Sequence, residues 1–330
     1  MSVYDIGINL DRIAARAKFR QLERQLDDVR SNGFRLVEID LTPFHLIVNG
    51  EIHRPSLEMF LDVVRNFDLR YTVHGLSRLN LAYDSRHALC RQIMRCQIEI
   101  CRAMGACRLV YHSGLQALDE VRYGVRRTLL TPSELVAGAR REVAALRALA
   151  PVAADGGVII GMENGDTHQW EHALIARFGL PRSALSQHHA RIHIEPMVRQ
   201  LEAIDHPNVG LTLDVGHLYI AAHDMGFDYL AAIARAASWL KHVHLSDNFG
   251  KLDRGVDSEP DRWAFGEADV HLPPGWGEIP YRAIFDRWPD YDGDMILEIK
   301  PWFMDDAAAG RQRIRALLDL SEKDVSSARR

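Results

Sequence analysis

The chain has 330 residues, of which 47% are hydrophobic and 26% are charged, and its formal net charge is −5 at pH 7. This composition is typical of a globular protein, no apolar run reaches the roughly 20 residues of a membrane-spanning helix, and the acidic balance disfavours nucleic acid as a partner without excluding it. The N-terminus lacks a basic segment followed by an apolar one, and the four cysteines lack C-x-x-C spacing. We therefore expect a cytoplasmic protein with reduced thiols and no membrane partner; a homo-oligomer stays open.

Eight β-rich segments alternate with helical patterns along the chain. The strand segments are 4–10, 35–41, 69–76, 107–114, 157–165, 208–216, 240–247 and 294–301. The helical patterns cover 18–31, 55–67, 84–104, 132–150, 196–205, 226–239, 280–287 and 305–319. Strict alternation predicts parallel strands, and eight repeats predict a closed (β/α)8 TIM barrel. A doubly wound open sheet is the alternative, but the glycine-rich loop that usually follows its first strand is missing.

We expect a single barrel domain over residues 1–320 and a flexible tail at 321–330. One segment interrupts the alternation, because residues 166–195 insert a stretch rich in histidine and aromatic residues between the fifth and sixth strands. Long insertions on the catalytic face of a barrel are commonly lids, so we predict a lid in which Trp170 and His168 contact the substrate. The His188-His189-x-x-x-His193 run could bind a metal, but we favour an exposed His-rich surface.

Titratable residues gather where the predicted strands end. In a barrel of this kind, the carboxyl ends of the strands form the active site. Side chains alternate along a strand, so His242 and His244 are predicted to point inward, and the same parity applies to Glu163 and Glu298. Two more such residues come from the loop EADVHLPPGWGE at 267–278. The complete set is His74, His112, Glu163, Asp214, His217, His244, Asp269, His271 and Glu298.

Four carboxylates in one pocket repel each other unless cations neutralise them. Any one of these side chains alone is more often a structural group, whereas the whole set indicates a metal centre. Imidazole and carboxylate ligands together suit Zn²⁺, Mn²⁺ or Fe²⁺ better than Mg²⁺ or Ca²⁺. One divalent ion would leave the site negative and suit a neutral sugar, whereas three would leave it positive and suit a phosphate. We expect one to three ions per chain, with zinc or manganese favoured over iron.

These motifs resemble the xylose isomerase-like TIM barrels, a superfamily that includes sugar-phosphate isomerases and epimerases and, in AP endonuclease family 2, endonuclease IV. The resemblance covers about residues 34–300 and rests on VHGLSRLNLAYD, LVYHSG, MENGD, LTLDVGH, HVHLSDN, DVHLPPGWGEI and ILEIKP. By analogy with the three zinc ions of endonuclease IV, it implies that all nine residues are metal ligands. The implied groups are His74, His112 and Glu163; Asp214, His244 and Glu298 with Glu163 bridging; and His217, Asp269 and His271.

Some positions depart from the individual branches of this superfamily. Ser77 and Arg78 stand where endonuclease IV has residues that probe DNA, which weakens a DNA-lesion function. Gln169 and Gly250 stand where ketose 3-epimerases have a glutamate and an arginine. The sequence DVHLPPGWGEI most resembles the mixed sugar-phosphate isomerase and epimerase branch.

Two reactions therefore compete. The first is a metal-dependent isomerisation or epimerisation of a sugar or sugar phosphate, in which the metal stabilises an enediolate while Glu163 and Glu298 exchange the proton. The second is a trinuclear phosphoesterase or hydrolase reaction on a phosphorylated substrate. Lys300 and Trp276 are further candidate substrate contacts. Non-enzymatic binding of a metal or ligand is the third and weakest hypothesis.

Overall fold

Eight parallel strands close into a barrel in the computed structural model, which describes residues 5–10, 18–254 and 259–318. The strands are β1 (Ile6–Asn9), β2 (Leu36–Asp40), β3 (Arg70–His74), β4 (Arg108–His112), β5 (Ile159–Glu163), β6 (Val209–Asp214), β7 (Leu240–Leu245) and β8 (Met295–Leu297). The first strand pairs with both β2 and β8, which closes the sheet. The predicted (β/α)8 barrel and all eight of its strands are confirmed. A short antiparallel hairpin of Ile47–Val48 and Glu51–Ile52 lies outside the barrel.

Helices connect the strands within the described ranges. They are α1 (Lys18–Ser31), α2 (Arg54–Val64), α3 (His87–Met104), α4 (Asp119–Arg122), α5 (Pro132–Asp155), α6 (Gln169–Arg177), α7 (Leu185–His188), α8 (Ile194–Ile204), α9 (Val215–Met225), α10 (Tyr229–Ala236), α11 (Glu259–Phe265), α12 (Tyr281–Phe285) and α13 (Ala307–Leu317). Short 3-10 helices occupy Thr42–Phe44, Arg182–Ala184, Ala190–Ile192, Ala237–Trp239 and Pro301–Asp306. None of the helices described is long and apolar enough to cross a membrane. The cytoplasmic location stays a prediction.

The fourth predicted helix ends later than its sequence suggests. A proline at position 151 usually ends or kinks a helix, because it removes one backbone hydrogen bond, so the pattern predicts an end at residue 150. The helix α5 instead continues through Pro151 to Asp155. Its last turns are fixed by the buried side chains of Leu149, Ala150 and Ala153, which pack in the main apolar core. Tertiary packing thus outweighs the local cost of the proline.

The two faces of each barrel strand differ in chemistry. On β7, Val243 and Leu245 are buried in the main apolar core, whereas His242 and His244 occupy the alternate positions. Both histidines contact Glu38, which lies on a strand that is not a neighbour of β7 in the sheet. Such a contact is possible only across the interior of the barrel. The inward direction predicted for His242 and His244 is therefore confirmed.

One glycine permits the close packing of the first two strands. A Cβ atom on Gly7 would lie 2.6 Å from the backbone oxygen of Leu36 and 2.9 Å from Cδ1 of Ile296. We expect Gly7→Ala to lower the free energy of unfolding by about 1–3 kcal/mol, because a backbone atom cannot move aside cheaply. Chemical denaturation measures the change. In the control Gly138→Ala, within helix α5, the added Cβ meets atoms no closer than 3.4 Å, and we expect a gain of about 0.5–1 kcal/mol. Equal effects of the two substitutions would contradict this packing argument.

The inserted segment 166–195 folds into short helices and shares a small apolar core. This core comprises Leu118, Ile175, Leu185, Ile192 and Ala221. Its closure over a substrate stays a prediction. The prediction of an exposed histidine surface is wrong for two of its three residues, because His188 and His189 are buried. A buried imidazole is tolerated here because Nδ1 of His189 lies 2.7 Å from Oε1 of the equally buried Glu171. The predicted tail at 321–330 lies outside the described residues.

Candidate metal centre

The ends of β5 to β8 bring one imidazole and three carboxylates together. Nδ1 of His244 lies 3.0 Å from Oε1 of Glu163, 2.8 Å from Oε2 of Glu298 and 3.9 Å from Oδ2 of Asp214. Glu163, Asp214 and His244 are almost entirely buried. The four side chains offer ligand atoms that all lie within 4.8 Å of one another. This arrangement matches the second group implied by the resemblance.

A second group stands beside it at the ends of β3 and β4. Nε2 of His74 and Nε2 of His112 are 3.1 Å apart, and Nε2 of His112 is 2.8 Å from Oε2 of Glu163. Nδ1 of His74 lies 3.2 Å from the backbone oxygen of Gly75, to which it can donate a proton. This contact leaves the lone pair of Nε2 directed toward His112 and Glu163. Glu163 thus belongs to both groups.

The third group comes from helix α9 and the loop at 267–278. Oδ2 of Asp269 lies 3.2 Å from Nε2 of His217, and Nε2 of His271 approaches the same oxygen to 2.5 Å. The loop itself is held by Asp247, whose carboxylate accepts hydrogen bonds from the backbone amides of Gly275 and Ile279 at 2.6 and 3.1 Å. The backbones of Asp247 and Leu272 also bond to each other in both directions. The Pro- and Gly-rich loop therefore presents Asp269 and His271 from a fixed position.

The unpaired oxygens of these groups fit a bound cation. Oδ2 of Asp214 and Oδ1 of Asp269 are buried without a hydrogen-bond donor among the described residues. A buried carboxylate oxygen without a partner is costly, and a divalent cation would satisfy it. The mixed imidazole and carboxylate donors suit zinc, manganese or iron. The nine predicted ligands are thus brought together as proposed, while their role as ligands stays a prediction.

The electrostatics of the cluster show how strongly these side chains depend on one another. Burial raises the pKa of Asp214 to about 7, with Glu298 and Asp269 adding to the effect. Burial opposes the protonation of His217, but Asp214 and Asp269 outweigh it and hold the pKa of His217 well above its usual value. Asp269 likewise raises the pKa of His271 to about 8, against the effect of burial. At neutral pH, the metal-free cluster therefore keeps protons on atoms that a metal would need.

We expect metal affinity to rise as the pH increases from 6 to 8. Below the raised pKa values of Asp214 and His271, an incoming cation must displace protons from these two side chains, whereas above them both are free to bind it. Isothermal titration calorimetry of the metal-free protein, in buffers of different ionisation enthalpy, measures the proton release directly. An affinity that is constant over this range, with no protons released, would contradict the expectation.

A cavity of about 640 Å³ opens above the cluster. Among the described residues, its wall includes six of the nine predicted ligands together with Asn9, Glu38, Asp40, Lys300 and Trp302. Lys300 therefore lies at the cavity wall, and its contact with a substrate stays a prediction. His168, Trp170 and Trp276 lie outside this wall: the first two rings stack on each other at 6.1 Å, and Trp276 packs against Phe303 at 5.4 Å. Contact of these three residues with a substrate stays a prediction.

Sequence reasoning missed the four polar or aromatic residues of the cavity wall that lie outside the predicted set. Glu38 and Asp40 occupy alternate positions of β2, so the same parity rule that selected Glu163 could have placed them inside the barrel. Asn9 ends β1 in the same way. Trp302 lies in a 3-10 helix after β8, and no periodic pattern in the sequence indicates its direction.

The family of the chain follows from comparison with known proteins. A family model described as "xylose isomerase-like TIM barrel" matches residues 26–319. The chain belongs to this family. A comparison with curated proteins gives no match.

Several solved structures share the fold of this chain. A D-tagatose 3-epimerase-like protein is 19% identical, with a TM-score of 0.64 over 98% of this chain and 99% of its own. The D-psicose 3-epimerase of Clostridium cellulolyticum H10, solved with D-tagatose, is 16% identical, with a TM-score of 0.64 over 95% and 99%. The protein IolI, solved with a zinc atom, is 14% identical, with a TM-score of 0.60 over 98% of both chains. At these identities, the likeness shows the shared fold.

Proposed function

We propose that this protein is a divalent-metal-dependent isomerase or epimerase of a sugar or sugar phosphate. The observation that carries the proposal is that Glu163 and Glu298 both line the cavity and both place a carboxylate oxygen within 3.0 Å of Nδ1 of His244. Two carboxylates beside one substrate can remove and return the same proton. Two structural relatives, a D-tagatose 3-epimerase-like protein and a D-psicose 3-epimerase, support the same reaction class.

Each part of the site has a task in such a reaction. A metal held by Glu163, Asp214, His244 and Glu298 would polarise a carbonyl and its neighbouring hydroxyl, which stabilises an enediolate. One of Glu163 and Glu298 takes the proton from the carbon beside the carbonyl through a carboxylate oxygen, and one of them returns it. Lys300 places a positive charge at the cavity wall, where it can pair with a phosphate or a hydroxyl of the substrate.

A specific observation favours a second candidate, a trinuclear phosphoesterase. Three groups of potential ligands lie side by side, and two of them share Glu163. Three divalent ions would outweigh the four carboxylates among the candidate ligands and would lower the repulsion between the cavity and a phosphate. The same residues thus support either reaction, and the number of bound ions separates them.

Elemental analysis of protein purified without chelators tests the metal centre, and an assay in deuterated water tests the reaction. We expect zinc or manganese, with incorporation of solvent deuterium beside the carbonyl of a ketose or ketose phosphate. About one ion per chain supports the isomerase, whereas two or three ions and release of phosphate support the phosphoesterase. A protein with no divalent metal, whose stability is unchanged by Glu163→Gln, would overturn both proposals.

Trp302 is expected to contribute to substrate binding. Its ring is half exposed at the cavity wall and is fixed by an edge-to-face contact with Trp263 at 4.8 Å. We expect Trp302→Ala to raise KM about tenfold with little change in kcat, because a contact made equally in the ground and transition states affects binding alone. Steady-state kinetics measures both. The control Phe265→Ala removes a similarly exposed ring outside the described wall and should leave KM unchanged; an equal rise in both variants would contradict the assignment.

A further inference from the structure

The histidines of the cluster differ in the nitrogen that they direct to the cavity. Nδ1 of His74, His217 and His271 faces a backbone oxygen, at 3.2, 3.1 and 2.9 Å respectively. These three rings therefore offer Nε2 as the ligand atom. His244 is reversed, since its Nδ1 faces the carboxylates of Glu163 and Glu298. Its other nitrogen, Nε2, lies 3.0 Å from Oε1 of Glu38.

Glu38 is held in a dense polar arrangement inside the barrel. Its side chain is 1% exposed, and it lines the cavity from the middle of β2. Its second oxygen, Oε2, accepts a hydrogen bond from the hydroxyl of Thr72 at 3.0 Å and lies 2.8 Å from Nε2 of His242. Thr72 and His242 are fully buried. One oxygen of Glu38 is thus occupied by fixed donors, and the other is left for His244.

We infer that Glu38 is a positioning residue for the metal centre, which holds the Nε2 proton of His244 so that Nδ1 presents its lone pair to the ion shared with Glu163, Asp214 and Glu298. A carboxylate behind a ligating imidazole fixes its tautomer and orientation and strengthens it as a donor. His74, His217 and His271 have a neutral backbone oxygen as the nearest partner of the second nitrogen, and Nδ1 of His217 lies 3.9 Å from carboxylate oxygens of Glu163 and Asp214. Among these four histidines, His244 is the one that has a carboxylate at hydrogen-bond distance behind the nitrogen that would face the ion. This inference rests on the metal centre of the proposed function, and not on the reaction.

The variant Glu38→Gln tests the role, because it keeps the shape of the side chain and removes its charge. We expect the affinity for Zn²⁺, measured by competition with a chromogenic chelator, to fall by about 10- to 100-fold at one position. The matched control is Glu171→Gln, which alters the other buried glutamate–histidine pair described above, outside the metal cluster. It should leave Zn²⁺ affinity unchanged, whatever its effect on thermal stability. Wild-type affinity in Glu38→Gln, or an equal loss in Glu171→Gln, would overturn the inference.

Nuclear magnetic resonance of the wild-type protein gives a test that does not depend on the folding of a variant. With ¹⁵N-labelled histidine and bound Zn²⁺, we expect His244 to ligate through Nδ1 and to keep its proton on Nε2. Ligation of His244 through Nε2, in a protein that does bind Zn²⁺, would overturn this inference alone. Failure to bind any Zn²⁺ would instead overturn the metal centre itself. An extra ion that is lost in Glu38→Gln, while the affinity of the remaining ions is unchanged, would place that ion on Glu38, His242 and His244 and refute the positioning role.

Discussion

Replacing Glu163 by glutamine is expected to lower kcat by about 1000-fold and to release more metal than the loss of any other single ligand. The reason is that Glu163 is the carboxylate shared by two of the three ligand groups, and it is also one of the two residues that can move the substrate proton. Elemental analysis and steady-state kinetics of the same preparation measure both effects.

The matched control for this prediction is Asp269→Asn, which alters the group that does not include Glu163. We expect it to release one ion at most. If the protein is an isomerase, the control keeps most of its activity, whereas a trinuclear phosphoesterase loses activity in both variants. Retention of full activity and full metal content by Glu163→Gln would contradict the assignment of the site.

Replacing Glu142 by alanine is expected to lower the free energy of unfolding by at least about 3 kcal/mol. Glu142 is fully buried on α5, and its carboxylate accepts hydrogen bonds from the hydroxyl of Tyr111 at 2.6 Å, from the amide of Gln200 at 3.1 Å and from the backbone amide of Gly114. Each donor left unpaired in the interior costs about 1–3 kcal/mol. Chemical denaturation measures the loss.

The control lies on the same helix. Glu134 forms the capping box at the start of α5 with Thr131 and contacts solvent. Glu134→Ala should therefore lower the free energy of unfolding clearly less than Glu142→Ala does. A similar decrease in the free energy of unfolding in the two variants would show that the buried hydrogen bonds of Glu142 do not stabilise the fold. We also expect Glu142→Ala to bind Zn²⁺ more weakly than Glu134→Ala. The reason is that Gly114, whose backbone amide donates to Glu142, follows the candidate ligand His112 by two residues.

The sequence was sufficient to predict the barrel and the grouping of the candidate residues at its strand ends, because both follow from local rules, while the role of the nine residues as ligands stays a prediction. Strand and helix periods alternate clearly, and a residue at the carboxyl end of a parallel strand reaches the same rim in every repeat. His244 and Glu298 could therefore be grouped although 54 positions separate them in the chain. Alternation along β7 was enough to point His242 inward as well.

The features that could not be predicted from the sequence depend on contacts between segments that are distant in the chain. Glu38 shares the short strand β2 with one other acidic residue, Asp40, and its role becomes visible only when His242, 204 positions away, is placed beside it. The burial of His189 depends in the same way on Glu171, and the continuation of α5 past Pro151 depends on the packing of Ala153. Such pairs have no periodic signature, so a single sequence cannot identify them.

The loop at 267–278 has a consequence for how this site could change in evolution. Asp269 and His271 depend on the loop and on its anchor Asp247, whereas Glu163, Asp214 and His244 belong to the strands of the barrel. Substitutions confined to the loop could therefore add or remove one metal position while the barrel stays intact. Since each divalent ion changes the charge of the cavity by two units, a few loop residues could decide whether a barrel of this family accepts a neutral or a phosphorylated molecule.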